Sequence, residues 1–450
     1  MSVGVQLANK GQTRVRYVIL LMLFLATTVN YADRATLSIV GTPLAKDLRL
    51  DSVALGYLLS AFSWAYVLGQ VPSGWLLDRF GSRTIYGVSL LIWSGLAVMQ
   101  GVVGRMGTFA GVFTALFALR LLVGLTESPI FPANGRVVAA WFPASERGTA
   151  SAVFNSSQYF ALVLFSPIMG WITHTLGWPS VFWFMGMLGA VLAMIWFKIV
   201  YGPKQHPRIS SAELELIEQG GGLVDMDVRR ASDAGPRWSY VRELLGNRML
   251  LGVYFGQYCI ATVTAFFLSW FPIYLVQARG MSILKVGFVA SVPALCGFCG
   301  GILGGVVSDK LLRGGHSLTF ARKLPIVVGM LMSVSMVGCN YVQAEWLVVV
   351  IMALAFLGKG FGALGWAVVS DTSPKQIAGL SGSLFNMFGN LSGITTPIAI
   401  GYILKEYGSF NGALVFVGAH AVGAILSYLL VVGKIQRVEL TDQGPATAMA

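Results

Sequence analysis

The sequence predicts an all-α polytopic membrane protein with twelve transmembrane helices in two six-helix bundles. Three observations carry that expectation. Of 450 residues, 56% are hydrophobic and only 11% charged, whereas soluble chains carry about 25% charged residues. Twelve apolar runs are each long enough to cross about 30 Å of hydrocarbon. Lysines and arginines gather in alternate loops between those runs, the pattern that sets orientation in a bilayer. Mean hydropathy is +0.72. The 54 glycines suit lipid-embedded helices, where small residues let backbones approach.

Taken in order, the first run lies near 17–40, behind a basic segment with Lys10, Arg14 and Arg16. It imitates a signal peptide, but it continues past Asp33 with no small-residue cleavage site, so a retained helix is expected. Runs near 53–77, 84–103, 108–140, 148–173 and 178–200 complete the first six. A second six lie near 249–276, 284–308, 323–342, 345–370, 378–404 and 410–433. This divides the chain into a bundle over 1–201, a linker over 202–247 and a bundle over 248–450. In the linker, Ser210-Ser211-Ala212-Glu213 forms a capping box opening the short helix AELELIEQ. Gly220-Gly221-Gly222 ends that helix, and a polar tether follows.

Arg14, Arg16, Arg79, Arg83, Arg136, Arg147, the cluster within 198–248, Lys310, Arg313, Arg322, Lys323, Lys375, Lys434 and Arg437 flank one side. The other side holds Lys46, Arg49, Arg105, Arg279, Lys285 and Lys405. Both termini and the linker are therefore placed in the cytoplasm. The net charge of +12 follows from this topology. No zinc-finger spacing or RNA-binding signature accompanies it, which excludes a nucleic-acid partner. The four cysteines, Cys259, Cys296, Cys299 and Cys339, all fall in apolar segments; the Cys296/Cys299 pair lacks a second pair or a nearby His, and packing is expected of it. A membrane enzyme would need a catalytic constellation, yet HExxH, P-loop and GxSxG patterns are all missing.

Five charges lie well inside spans: Asp33, Arg34, Arg120, Glu127 and Lys359. A charge at mid-bilayer costs several kcal/mol or more, so each must face a protein-lined or watery interior. Arg120 and Glu127 are two turns apart, on nearly one helix face and roughly 10 Å apart. Asp33 and Arg34 are neighbours, about 100° apart around the helix, so each can reach a different partner. Three cations against two acids leave a surplus that suits an anion, and protonating the acids enlarges it. Arg34 and Arg120 are natural carboxylate clamps, while Asp33 and Glu127 can exchange protons. The alternative is a purely structural set of ion pairs. Lys359 is expected to hold a second negative group on the substrate, or else to pair with Asp33 or Glu127. Tyr66, Gln158, Trp366 and Asn386 also lie inside spans, where phenols, amides and an indole suit a polyhydroxylated ligand; individually each also serves as helix–helix glue.

An internal repeat relates the halves. Gly74-Trp75-Leu76-Leu77-Asp78-Arg79 closes the second span and Gly305-Val306-Val307-Ser308-Asp309-Lys310 the eighth. In this pattern Gly permits close helix approach, and the Asp accepts bonds from neighbouring helix N-termini, latching one conformation. With Arg83, the fuller form GWLLDRFGSR at 74–83 resembles the signature loop of the major facilitator superfamily.

Four further segments narrow the resemblance: NYADRATLS at 30–38, RLLVGLTESPIFPANGRVVAAWFP at 120–143, SDTSPKQIAGLSG at 370–382 and LFNMFGNLSGITTPIAIGYI at 384–403. Over nearly the whole chain they resemble the anion:cation symporter family, and within it the bacterial galactarate/glucarate (hexarate) permeases. The resemblance implies the facilitator fold, alternating access and proton-coupled import of a sugar diacid, galactarate or glucarate, with glycerate as a further substrate, across the bacterial inner membrane; a galactonate- or hexuronate-type monoacid is the alternative. It implies that Asp33 and Glu127 carry protons, that Arg34 and Arg120 recognise the anion, and that Tyr31, Tyr66, Gln158, Trp366 and Asn386 line the site. No cofactor or metal is called for, the coupling ion is the proton, and a monomer is expected.

Overall fold

A computed structural model describes residues 13–103, 109–225, 238–374 and 377–439. Lys10, Arg105, Lys375 and, from the linker cluster and its polar tether, Arg229, Arg230 and Arg237 lie outside them. Among the described residues the regular structure is helical, with no strand, as a hydrocarbon solvent requires when every backbone polar group must be satisfied within its own segment. Among the described residues, twelve helices are long and apolar enough to cross a membrane.

The first six spans are α1 (Val15–Asp47), α2 (Ser52–Phe80), α3 (Ser82–Val103), the pair α4 (Phe109–Glu127) and α5 (Ile130–Trp141), α6 (Arg147–Leu176) and α7 (Trp178–Ile199). The linker carries α8 (Ser211–Gln219) and a helix not anticipated from sequence, α9 (Trp238–Gly246). There follow α10 (Arg248–Ser269), α11 (Phe271–Gln277), α12 (Ile283–Val289), α13 (Ser291–Arg313), α14 (Leu318–Val334), α15 (Glu345–Phe361), α16 (Gly365–Thr372), α17 (Ala378–Tyr407) and α18 (Asn411–Leu426). Local chemistry sets the ends. Asp51 accepts from Ala54 N and opens α2, and Asn247 does the same for α10 through Met249 N and Leu250 N, satisfying amides the helix leaves bare. Gly177, at φ 81°, turns the chain between α6 and α7, a left-handed geometry that glycine adopts without strain.

The chain separates into two compact units. The first holds residues 1–232 with 275–291, the second 233–274 with 292–450. Within the first, α3 packs on α7 and α2 on α4. Tyr86 stacks on Trp196 with ring centroids 4.0 Å apart. Gly124 faces the backbone of Phe62 so closely that a Cβ there would collide with the Phe62 carbonyl oxygen. Helix α12 also belongs to this unit. A Cβ on Gly170 of α6 would stand 3.1 Å from Gly287 Cα, and Ser291 Oγ donates to Val163 O at 3.3 Å. In the second unit, α10 packs on α17 and α14 on α15, with Gly329 and Gly358 each abutting the other's carbonyl oxygen.

The glycine-mediated approach expected of the repeat lies elsewhere. A Cβ on Gly74 or Gly305 meets nothing within 4 Å, while Gly124, Gly300, Gly329 and Gly358 carry the tight contacts.

The front of the linker is strapped to the first unit. Ser210 caps α8 by accepting from Glu213 N at 3.2 Å, but only this half of the expected capping box forms. Instead of returning to Ser210, the Glu213 carboxylate is fully buried. It accepts from Thr13 Oγ1, Val15 N, Arg16 N and Arg16 Nη1. A guanidinium and bare helix-start amides together outbid one neighbouring amide. Further along, Arg147 Nη2 donates to Gly221 O at 2.6 Å and Leu223 N to Ala139 O at 2.9 Å.

Gly124→Val is expected to cost about 3 kcal/mol or more, since backbone cannot yield as a flexible side chain does. Thermal unfolding in detergent should show a marked loss for Gly124→Val and none for Gly74→Ala.

Candidate functional site

The charged interior of the first unit is built by α1 and α4. Arg34 Nε donates to Glu127 Oε2 at 3.1 Å, and Arg120 Nη1 donates to Asp33 Oδ2 at 3.2 Å. Adjacent residues on α1 thus reach residues two turns apart on α4, and the pairs cross. Side-chain exposure is 14% for Arg34, 3% for Arg120 and zero for both acids. The four formal charges cancel, which hydrocarbon demands. Each acid keeps one oxygen without a partner, Asp33 Oδ1 and Glu127 Oε1, as does Arg120 at Nε.

Arg34 is held by more than its ion pair. Its guanidinium lies 4.8 Å from the Tyr31 ring, 4.7 Å from Phe62 and 4.6 Å from Tyr66, a cation–π cage. Phe62 and Tyr66 stack at 5.3 Å. Sequence reasoning missed Phe62; its signal was the spacing of four from Tyr66, which puts both on one face.

Glu127 is the last residue of α4, and Pro129 precedes α5. The fourth span is therefore broken at its buried acid. The tenth span breaks comparably: Lys359 lies in the last turn of α15, ahead of a 3-10 turn at Gly362–Leu364 and then α16. Interrupted helices at matching positions of two halves mark where transporters handle their cargo. Lys359 Nζ lies 5.4 Å from the Phe356 ring centroid and is partly exposed.

The remaining polar candidates divide between the units. Gln158, on α6, donates to Asn155 O of its own helix at 3.0 Å. Trp366, exposed on α16, meets Phe385 edge-on at 4.9 Å. Asn386 accepts from Asn390 Nδ2 at its backbone oxygen, 2.8 Å, and at Oδ1, 3.2 Å. Gln257 was missed: its amide is wedged against Gly365 and Gly389, within the segment pair that presents Trp366 and Asn386. An amide on a long apolar helix gave too little signal to stand out.

The repeat loops are also more elaborate than expected. Asp78 is paired with Arg136 rather than with a helix N-terminus, and Arg136 Nε donates to Ser82 Oγ at 3.3 Å. Arg79 lies over the Trp75 and Phe80 rings. Arg83 donates to Phe197 O at 2.7 Å and covers Tyr201. In the second unit Arg322 takes the corresponding place, donating to Asp371 at 2.8 Å and Ser308 at 3.0 Å, with Asp309 at 4.0 Å.

Residues 23–331 match the family model described as Major Facilitator Superfamily. Over 96% of its length the chain is 65% identical to the protein named probable galactarate/D-glucarate transporter in Bacillus subtilis (strain 168), covering 95% of that relative. It is 61% identical to the protein of the same name in Escherichia coli (strain K12), over 95% of this chain and 96% of the other. The crystal structure of a D-xylose–proton symporter superposes with a TM-score of 0.71 at 16% identity, over 93% of this chain and 98% of that one; at that identity the likeness concerns the fold.

Removing one member of a buried pair strands the other. Arg120→Met is expected to cost about 3–5 kcal/mol, and adding Asp33→Asn should restore most of it. Denaturant or thermal unfolding in micelles checks both.

Proposed function

The chain belongs to the major facilitator superfamily, and on that premise we propose that this multi-pass transporter imports a sugar diacid, galactarate or D-glucarate, together with protons. The substrate class rests on the names of its relatives. The coupling rests on one observation: the carboxylate of Glu127 is bound to the same guanidinium, Arg34, that is best placed to take a carboxylate from a substrate.

While Glu127 is ionised, Arg34 is neutralised and offers an anion little. A proton on Glu127 dissolves the pair and leaves a caged guanidinium with its fork free for bidentate carboxylate binding. Arrival of the diacid and uptake of the proton then favour each other. Asp33 and Arg120 repeat the logic one residue away, as a second proton-linked pair. Lys359 takes the other carboxylate of the substrate. Tyr31, Tyr66, Gln158, Trp366 and Asn386 address its hydroxyls and its C–H faces. The repeat loops, with Gly74, Asp78, Arg79, Arg83, Gly305 and Asp309, stabilise one state of an alternating-access cycle through the charge pairs at Arg136 and Arg322. The protein resides in the bacterial cytoplasmic membrane as a monomer with both termini in the cytoplasm.

Uptake into proteoliposomes of galactarate, glucarate, glycerate, galactonate and glucuronate, with and without a pH gradient, tests the reading. Gradient-driven accumulation of the aldarates is expected, and its failure would sink the proposal. Glu127→Gln, a mimic of the protonated acid, should lose uphill accumulation yet retain substrate counterflow. Lys359→Met should weaken diacid binding about 10- to 100-fold, the worth of one charge-assisted bond, with galactonate little affected; wild-type diacid affinity would remove Lys359 from the site.

A further inference from the structure

Unsatisfied buried polar atoms gather along one side of α1 in the first unit. Asn30 Nδ2, Glu127 Oε1, Asn134 Oδ1 and the Tyr86 hydroxyl, on residues at most 1% exposed, make no hydrogen bond of ordinary distance and angle, although Asn30 faces Glu127 and Tyr86 faces Asn134. Thr27 sits among them: its hydroxyl accepts from Asn134 Nδ2 at 2.9 Å, and the Tyr86 hydroxyl lies beside both. Asn30 lies beside the Glu127 carboxyl. On α1, Thr27, Asn30 and Arg34 recur at three and four residues and share a face, so Thr27 stands roughly 10 Å from Arg34 toward the start of the helix. Tyr86 is one turn inside α3, whose first residue, Ser82, accepts from Arg136, the partner of Asp78. The series therefore leads from the ion pairs at mid-span to the end of the unit marked by the Asp78–Arg136 pair.

Leaving such groups dry is costly, and buried waters are the usual remedy, each making about three hydrogen bonds. The atoms are complementary for that purpose. Asn30 brings a donor, Asn134 and Glu127 bring acceptors, and Tyr86 brings a hydroxyl that does either.

We infer that Thr27, Asn30, Tyr86 and Asn134 form an internal water site, and that its waters, with the Tyr86 hydroxyl, relay the Glu127 proton to the Asp78 end of the first unit. The relay rests on Glu127 being a proton carrier; the water site does not. The titratable and charged groups facing Glu127 are Tyr31, Asp33 and Arg34 on α1 and Tyr86 on α3. Tyr66 on α2 bears on Arg34, Arg120 on α4 binds Asp33, and Tyr159 on α6 faces Tyr31. Each step of the relay moves a proton from one oxygen to the next, so no charge or atom is left over.

Radiolytic hydroxyl-radical footprinting of the intact protein tests the site directly. Tyr86 should be modified, because bound water generates radicals in place. Tyr254, equally buried but bonded to Ser381, should remain intact; equal protection of the two rings would overturn the water site. For the relay, Tyr86→Phe alone and Tyr86→Phe with Asn134→Leu are compared with wild type in proteoliposomes. Uphill, gradient-driven uptake should fall about tenfold with a displaced pH–rate profile, while substrate counterflow stays within about twofold. Unchanged uphill uptake, or equal loss of uptake and counterflow, would overturn the relay. Should Glu127→Gln itself retain uphill transport, the coupling reading fails, and footprinting still decides the water site by itself.

Discussion

Two guanidinium–carboxylate pairs cross between α1 and α4, and the rest of the first unit is arranged around their cost. Hydrocarbon tolerates these four charges only together: pairwise they cancel, and the loss of any one leaves another uncompensated. The crossing follows from helix geometry, since neighbours on α1 diverge by about 100° while Arg120 and Glu127 sit two turns apart on one face. The pairs are not closed. Each acid retains a bare oxygen, and Arg34 is caged by Tyr31, Phe62 and Tyr66. The cage holds the guanidinium by contacts that do not involve Glu127. A cation–π contact contributes about 0.5–2 kcal/mol, so three of them rival the carboxylate they accompany.

The same sequence logic is written twice with different outcomes. The fourth span breaks after an acid, at Ser128 and Pro129; the tenth breaks after a lysine, at Gly362. The loops of the repeat converge likewise on an arginine from another helix: Arg136 for Asp78 and Ser82, Arg322 for Asp309, Ser308 and Asp371. The glycines, the aspartates and the cations beside them stand out in the sequence. The arginines that complete them are contributed from elsewhere in the chain.

Spans, their number and the buried charges were legible because the solvent penalises error so heavily that composition alone carries the signal. Asp33, Arg34, Arg120, Glu127 and Lys359 stood out for being where charge is expensive. Which acid meets which base was not legible, since that depends on how α1 lies against α4. In the sequence Arg136 and Arg322 read as topology cations, a description that holds equally for arginines with no structural partner. Phe62 and Gln257 resemble the many aromatics and amides around them and acquire meaning only from what they touch. The capping box is only half formed for a related reason: the Glu213 carboxylate meets a guanidinium and two backbone amides from the start of α1, partners far away in sequence.

The strap formed by residues 203–225 bears on how the chain is made. Its anchors on Thr13, Val15, Arg16, Ala139, Ala144 and Arg147 have all left the ribosome before the strap does, so it can fasten onto a half-made protein. The backbone groove at Gly170, by contrast, waits for Gly287, which is translated much later. Biogenesis of the first unit therefore has an early fastening and a deferred one, and a ribosome stalled between them would display α6 with that groove still vacant.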